Sequence, residues 1–404
     1  MDNNEQRRRA LVVGLGISGI STAIRLRQAG WEPEIIERSP ERRTGGYFVL
    51  LWGAGRSAAE RLGFLVNMPD HTARDGAHYE IDRMGNRTRV PSFSDHPLGP
   101  HRMLRGDVEN AAFDALPSDI KIRFGTIPSK IQQDGDGVDV TLLDTASGQT
   151  SAERFDLVVG TDGLRSTVRS LAFGPHERYL HRMGRITCAF QVSAPLPGLA
   201  QEDGVALLER ARSMWVFGFQ DRIPTVMLSY ESDDIDAEFI RPPAQRLREV
   251  FGSQPTGKLL GTVLDEAERA ENILFDSVEQ VRMDSWHRGR VVLVGDSAWC
   301  VTLYAGMGVS AGLCGADLLG TMLERHPVDV ERALTEWETQ LRPSIKAWQE
   351  CAGPMRILFN PDGRREVLKR RLTARGRTYP IIGPVIRRKR MRTMAEKNFD
   401  AAAA

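Results

Sequence analysis

Three stretches of this chain carry residues whose types and spacing suit the binding of a phosphorylated cofactor. Gly14, Gly16 and Gly19 form a GxGxxG pattern around Ser18, and Glu37 follows about twenty residues on. Such a pattern works through backbone. The first glycine permits a tight strand-to-helix turn, the second lets main chain approach a pyrophosphate, and the third lets the helix pack close to the sheet. Phosphates would sit at the helix N-terminus, where unpaired N–H groups and the helix dipole favour negative charge. Glu37 stands where a carboxylate would accept hydrogen bonds from a ribose. The pattern alone does not separate NAD from FAD, and Arg38 beside the acid would suit a 2′-phosphate.

The second stretch is Asp156-Leu-Val-Val-Gly-Thr-Asp162-Gly163, continuing to Ser166 and Arg169. The third is Gly295-Asp296 after an apolar run, followed by Gly306-Met-Gly308 and a helix rich in small residues. A carboxylate at a strand end can accept bonds from an extended polyol. Three motifs in this order are far more specific than any one alone.

Taken together, they resemble the FAD-dependent monooxygenases related to para-hydroxybenzoate hydroxylase and the tetracycline-inactivating flavin enzymes. The resemblance covers about residues 9–325 and implies FAD as cofactor, with NADPH or NADH as a transient reductant that needs no nucleotide fold of its own. It implies that Asp162 and Gly163 line the FAD phosphates while Ser166 and Arg169 brace that loop. It gives Gly295 and Asp296 to the ribityl or ribose hydroxyls, and Gly306 and Gly308 to a helix N-terminus facing the flavin ring. Arg105 resembles the family's arginine beside the flavin, with Arg102 as its competitor, and Gly46 belongs to a glycine pair that carries backbone past the ring. The implied reaction runs through a flavin C4a-hydroperoxide and hydroxylates or epoxidises an aromatic or polycyclic molecule. No acid or base is assigned, because the cofactor carries the hard chemistry.

Two departures stand out. Where many family members have histidine and then proline after the aspartate, this chain has Trp299 and Leu303. They motivate a rival reading, a cyclase of the same fold whose flavin is redox-silent. For substrate, the candidates are Trp215 and Phe217, two apart on one strand face, and Tyr304, just before the glycine turn. Phe219 shares that alternation, Trp299 is a further pocket candidate, and Trp52 is a weaker one.

The elements that must position these residues are legible as patterns. Residues 9–15 read as a buried strand, a helical pattern follows, and Glu34–Glu37 reads as a second strand, so the chain opens on a βαβ unit. Further buried strands near residues 156 and 290 would complete one mostly parallel sheet. The fold expected is α/β: a Rossmann-like FAD-binding domain with a mostly parallel sheet, an antiparallel-sheet substrate domain, and C-terminal helices. The boundaries expected are 1–174 with 286–325 for FAD, 175–285 for the substrate module, and 326–404 for a helical segment with a basic tail. A helix is expected over 327–350, kinked at Pro343.

Composition narrows the partners. Lys and Arg number 54 against 53 Asp and Glu, so no global field favours nucleic acid. A small aromatic or polyketide-like substrate is expected, with the chain a monomer or homodimer. The polar first ten residues and the lack of a long apolar run point to the cytoplasm. Cys188, Cys300, Cys314 and Cys351 lack metal spacing and are expected reduced, with no metal bound. His101 and His287 lack visible partners and read as structural or solvent-exposed. The tail from Arg364 to Lys397 carries 13 Lys or Arg against 2 Glu. Its RRKRMR run after YPIIGPVI could touch anionic lipid, but such runs are mostly solvated faces.

Overall fold

The computed structural model describes residues 8–42, 45–91, 99–363, 365–369 and 383–403. At its centre lies a six-stranded sheet ordered His287–Arg288, Val291–Leu293, Leu157–Gly160, Arg9–Val13, Glu32–Ile36, Lys121–Arg123. All neighbours run parallel except the edge pair. Strands buried on both faces must be apolar throughout, and Ala10, Leu11, Val12, Leu157, Val158, Val159, Val291 and Val292 are fully buried. The helix Ile17–Gln28 packs against this sheet, and the helix Gly308–Arg325 packs against that helix. Small residues allow the approach: a Cβ on Gly312 would lie 2.4 Å from the Ser18 hydroxyl.

The second sheet has seven strands, ordered Leu274–Val281, Leu180–Gln191, Thr225–Glu231, Arg212–Phe217, Gly204–Glu209, His78–Ile81, Arg87–Val90. Alternation divides its faces. Met214 and Val216 pack with Leu247, Phe251, Leu260 and Val263 of two covering helices, while Trp215 and Phe217 turn to the other side with Ala206 and Met227. The sheet is antiparallel apart from one parallel pairing, Gly204–Glu209 with His78–Ile81. Two of its strands thus come from residues 78–90, well before the expected module.

The helix expected over 327–350 runs from Val330 to Phe359 as one element with Pro343 and Pro354 inside it. At 1.5 Å per residue it spans about 45 Å, and it joins the two halves. Ala333, Trp337 and Leu341 lie in the core of the parallel sheet, whereas Phe359 reaches the aromatic face of the other. A final helix, Gly383–Asn398, brings its last turns back onto the parallel-sheet domain. Met394, Lys397 and Ala401 are buried there. The last turn of the tail is therefore docked on protein, whereas Arg388, Met391 and Arg392 of the RRKRMR run are exposed, as expected of a solvated face. Residues 379–382, part of the apolar stretch before RRKRMR, lie outside the described residues. No helix among the described residues is long and apolar enough to cross a membrane. All four cysteines are free, and burial pushes the Cys188 thiol up to about 12.

Candidate functional site

The glycine turn after the first strand closes because side chains are missing from it. Gly14 has φ +107°, and a Cβ there would sit 2.8 Å from the Thr161 carbonyl oxygen. A Cβ on Gly19 would sit 1.9 Å from the Gly14 carbonyl oxygen. Glu37 ties the turn to the next strand, accepting from the Leu15 N–H at 2.8 Å and the Ser39 N–H at 2.9 Å. Arg38 beside it is exposed. Gly16 stands at the N-cap of the following helix with no side-chain cap, so the first N–H groups of that helix are left for another acceptor.

Those groups face a cavity of about 880 Å³ between the two sheets, bordered on this side by Gly16, Ile17 and Ser18. Gly163 and Gly308 also line it, and nothing lies within 4 Å of where their Cβ atoms would be. The helix opening at Gly308 has no side-chain cap either. Between Asp296 and Gly306 the chain is strained: Thr302 has φ +72°, a conformation costing about 1–3 kcal/mol for a residue with a side chain. Thr302 lines the cavity, and its buried hydroxyl has no hydrogen-bond partner among the described residues. Asp296 presents its carboxylate to the same space. Enclosure by protein pushes its pKa up, opposed by the Cys300 thiol and Arg105.

The Asp162 carboxylate is already engaged. It accepts from the Ser166 hydroxyl at 2.5 Å and the Thr167 and Val168 N–H groups at 2.6 and 3.1 Å, capping the helix Thr167–Ala172. Only Gly163 of that pair borders the cavity. Ser166 and Arg169 brace the loop, Arg169 donating to the Ser297 and Leu164 carbonyl oxygens. Arg105 borders the cavity, held by Glu109 at 2.7 Å, while Arg102 turns away and donates to the Gly218 carbonyl oxygen. Gly46 packs beneath, its Cβ position 2.4 Å from the Gly106 nitrogen, so that Tyr47 reaches the cavity. Gly14, Gly19, Glu37 and Gly295 shape the turns without bordering the cavity.

The opposite end is made of rings. Phe48 stacks on Phe217 with centroids 4.0 Å apart and planes within 5°, and Trp215 continues the ladder at 6.2 Å and 12°. The Trp215 indole N–H donates to the Phe359 carbonyl oxygen at 2.9 Å. Tyr304 is buried against Phe359 and shares a long 3.4 Å contact with the Ser229 hydroxyl. Burial pushes its phenol pKa up, so it stays neutral. The Thr225 hydroxyl at the edge of this wall has no hydrogen-bond partner among the described residues.

Several expectations are corrected here. Trp299 does not border the cavity; it packs among Trp286 and Trp337, where Gly315 leaves room for its ring. Phe219 lies past the end of its strand against Phe48 and His71. Trp52 does border the cavity and donates to the Gly306 carbonyl oxygen at 2.9 Å. His287 is held by Glu338 and His101 by Asp70, both away from the cavity. Sequence reasoning missed Phe48, His78, Glu80, Phe359 and Lys397, all on the cavity wall. The period-2 spacing of His78 and Glu80 was the available signal.

Comparison with known proteins decides the family. A family model described as FAD binding domain matches residues 107–326, more than half of the chain. The chain belongs to this FAD binding domain family. Known proteins are similar to this chain along most of their length. A flavin-dependent monooxygenase from an unknown prokaryotic organism is 26% identical over 355 residues, covering 84% of this chain and 87% of the relative. Among solved structures, the tetracycline destructase Tet(51) aligns with TM-score 0.76 at 24% identity, covering 98% of this chain and 97% of that one. Klebsiella pneumoniae HpxO complexed with FAD and uric acid aligns with TM-score 0.74 at 19% identity, covering 96% and 97%. The site fits FAD on its own evidence: bare backbone at Gly16, Gly163 and Gly308, two uncapped helix N-termini, and the unpartnered Thr302 hydroxyl.

Proposed function

We propose that this flavoprotein monooxygenase uses NAD(P)H and O₂ to insert one oxygen atom into a planar aromatic or polycyclic molecule. The balance is RH + O₂ + NAD(P)H + H⁺ giving ROH + NAD(P)⁺ + H₂O. When bound, FAD supplies the electron transfer and oxygen activation. The helix N-termini at Ile17 and Gly308 and the backbone at Gly163 would hold it, Asp296 and the Thr302 hydroxyl would meet its hydroxyl groups, and Arg105 would lie beside it.

The observation that carries the substrate class is the ladder of Phe48, Phe217 and Trp215, facing the same cavity as the FAD lining. Flat rings stack offset on such a wall, and its apolar surface excludes water from the reacting atoms. The Thr225 hydroxyl at its edge, without a partner among the described residues, suits a substrate bearing a polar substituent. A monomer or homodimer in the cytoplasm, without nucleic-acid partners, is the setting that suits this reading.

Of the two departures that motivate the redox-silent cyclase, Trp299 is packed away from the cavity and Leu303 borders it. The test is anaerobic mixing of the yellow holoenzyme with NADH and with NADPH, alone and with a panel of hydroxylated aromatic and polyketide-like compounds. Bleaching of the flavin, accelerated by one compound class, is expected. A flavin that neither nucleotide reduces would overturn the reading and leave the cyclase in its place.

A further inference from the structure

Lys397 is a lysine in an unusual place. It lies near the end of the last helix and is only 5% exposed. Its ammonium donates to the Ala305 carbonyl oxygen at 2.5 Å and lies 4.6 Å from the centre of the Trp52 ring. No carboxylate pairs with it among the described residues. A buried ammonium is retained only where hydrogen bonds, a ring face or an anion offset its lost hydration, and here the anion is missing. Burial pushes its pKa down, with the Cys351 thiol opposing.

Its neighbours say where the charge points. Lys397 borders the cavity together with Trp52, Ala305, Gly306 and Gly308. The uncapped N-terminus of the helix Gly308–Arg325 opens at the same spot, so a fixed charge and a helix dipole of the same sign converge there. The lysine is also firmly placed. Asn398 accepts from the Gly53 N–H at 2.7 Å, and Asp400 pairs with Arg61 at 2.8 Å.

We propose that Lys397 and the Gly308 helix N-terminus form an anion subsite whose ligand is the negatively charged, reduced form of the flavin ring. The inference rests on the reading that the ring lies against Gly306–Gly308. Lys397 is then an electrostatic positioning residue: its charge makes the protein bind reduced flavin more tightly than oxidised flavin, which raises the midpoint potential of the bound cofactor. A carboxylate or enolate of the substrate is the other anion of suitable chemistry, and the test separates the two.

The experiment is spectroelectrochemical titration of the FAD-loaded enzyme for wild type, Lys397→Gln and Lys397→Met. Glutamine can still donate to Ala305 without the charge, so it separates the structural tie from the electrostatics. The expected result is a roughly tenfold loss of preference for reduced over oxidised flavin in both variants, which for a two-electron couple is a fall of about 30 mV. A Lys397→Gln enzyme that keeps the wild-type potential overturns the proposal, including when Lys397→Met fails to fold. So does an unchanged potential accompanied by weaker binding of benzoate, since that result assigns the charge to the substrate. Gly308→Ala places a methyl group where nothing lies within 4 Å and reports on the underlying placement. An unperturbed flavin spectrum and affinity in that variant would remove the ring from this wall; a perturbed one, with Lys397 variants at wild-type potential, would overturn the lysine's role alone.

Discussion

Where Gly16, Gly163 and Gly308 border the cavity its wall is bare backbone; where Phe48, Trp215 and Phe217 border it, the wall is side chain. The first region is made of helix N-termini and glycine turns, all hung on adjacent strands of the parallel sheet. The second is collected from the strand at 48–51, the Arg212–Phe217 strand, the turn before Gly306 and the far end of the long helix. Backbone recognition demands glycine at fixed places, because a Cβ at Gly14 or Gly19 would strike main chain. Ring recognition demands only a flat apolar surface, and many segments can supply one. The first kind of site should therefore fail abruptly when altered and the second should shift by degrees.

The largest effect is expected at Gly19. A methyl group 1.9 Å from the Gly14 carbonyl oxygen cannot be relieved by a side-chain rotation, so strand and helix must part. Overpacking typically costs about 1–3 kcal/mol and occasionally more, and a contact this short with main chain stands at the upper end. Gly19→Ala should weaken FAD binding by a hundredfold or yield colourless protein, as read by fluorescence titration of the apoprotein with FAD. A variant that binds FAD normally would show that the turn has slack, and the contrast between the two ends would lose its basis.

Asp296→Ala should follow. A hydrogen bond to a charged group contributes about 1.5–3 kcal/mol, so FAD affinity should fall by tenfold or more while the fold persists. Unchanged affinity in a folded protein would take Asp296 out of the site.

A residue of the scaffold, bordering neither end, sharpens the comparison as a control. Burial would raise the pKa of Glu338, but the bonds from His287, the Trp286 N–H and Arg342 outweigh it and hold the carboxyl at about 2. A carboxylate depressed in the folded state stabilises above its unfolded pKa and loses that contribution as pH falls through the folded value. With partial exposure discounted, about 2 kcal/mol should disappear between about pH 4.5 and pH 2. Thermal melts over that range should show Glu338→Gln flattening the acid limb, with FAD affinity at neutral pH unaltered. Equal acid sensitivity in both proteins would remove this carboxylate as the cause.

The same contrast explains what was legible in the sequence. The glycine fingerprint, Gly163 and the Gly295–Asp296 pair are spaced by local chain geometry, so the sequence order of motifs carried the parallel sheet and the FAD family with it. Trp215 and Phe217 were legible as partners because alternation is local too. Their ring neighbour Phe48 was not, since nothing in residues 48–51 announces a strand that will meet residue 217. His78 and Glu80 sat outside the expected module because their strand crosses into the second sheet by a parallel pairing with Gly204–Glu209. Trp299 was misread for the converse reason: proximity in sequence to the glycine turn does not fix which way a ring points, and Gly315 opens a core slot for it. Asp162 and Lys397 teach the same lesson with charges, one carboxylate spent on a helix cap and one ammonium drawn out of a tail that composition alone made look solvated.

The smallest structural change gives the most direct test of the central claim, that one cavity holds the cofactor by backbone and the substrate by rings. Trp215→Leu and Tyr304→Phe keep an apolar side chain at positions that are 1% exposed, with a smaller loss than the ~3–5 kcal/mol expected from truncation to alanine. For each, FAD affinity, melting temperature and the rate of substrate-stimulated flavin reduction would be measured on the same preparation. The account predicts FAD affinity within about twofold of wild type, with the reduction rate or its substrate preference changed severalfold. Variants that lose only stability, with the kinetics of the folded fraction unchanged, would contradict it and place the substrate elsewhere.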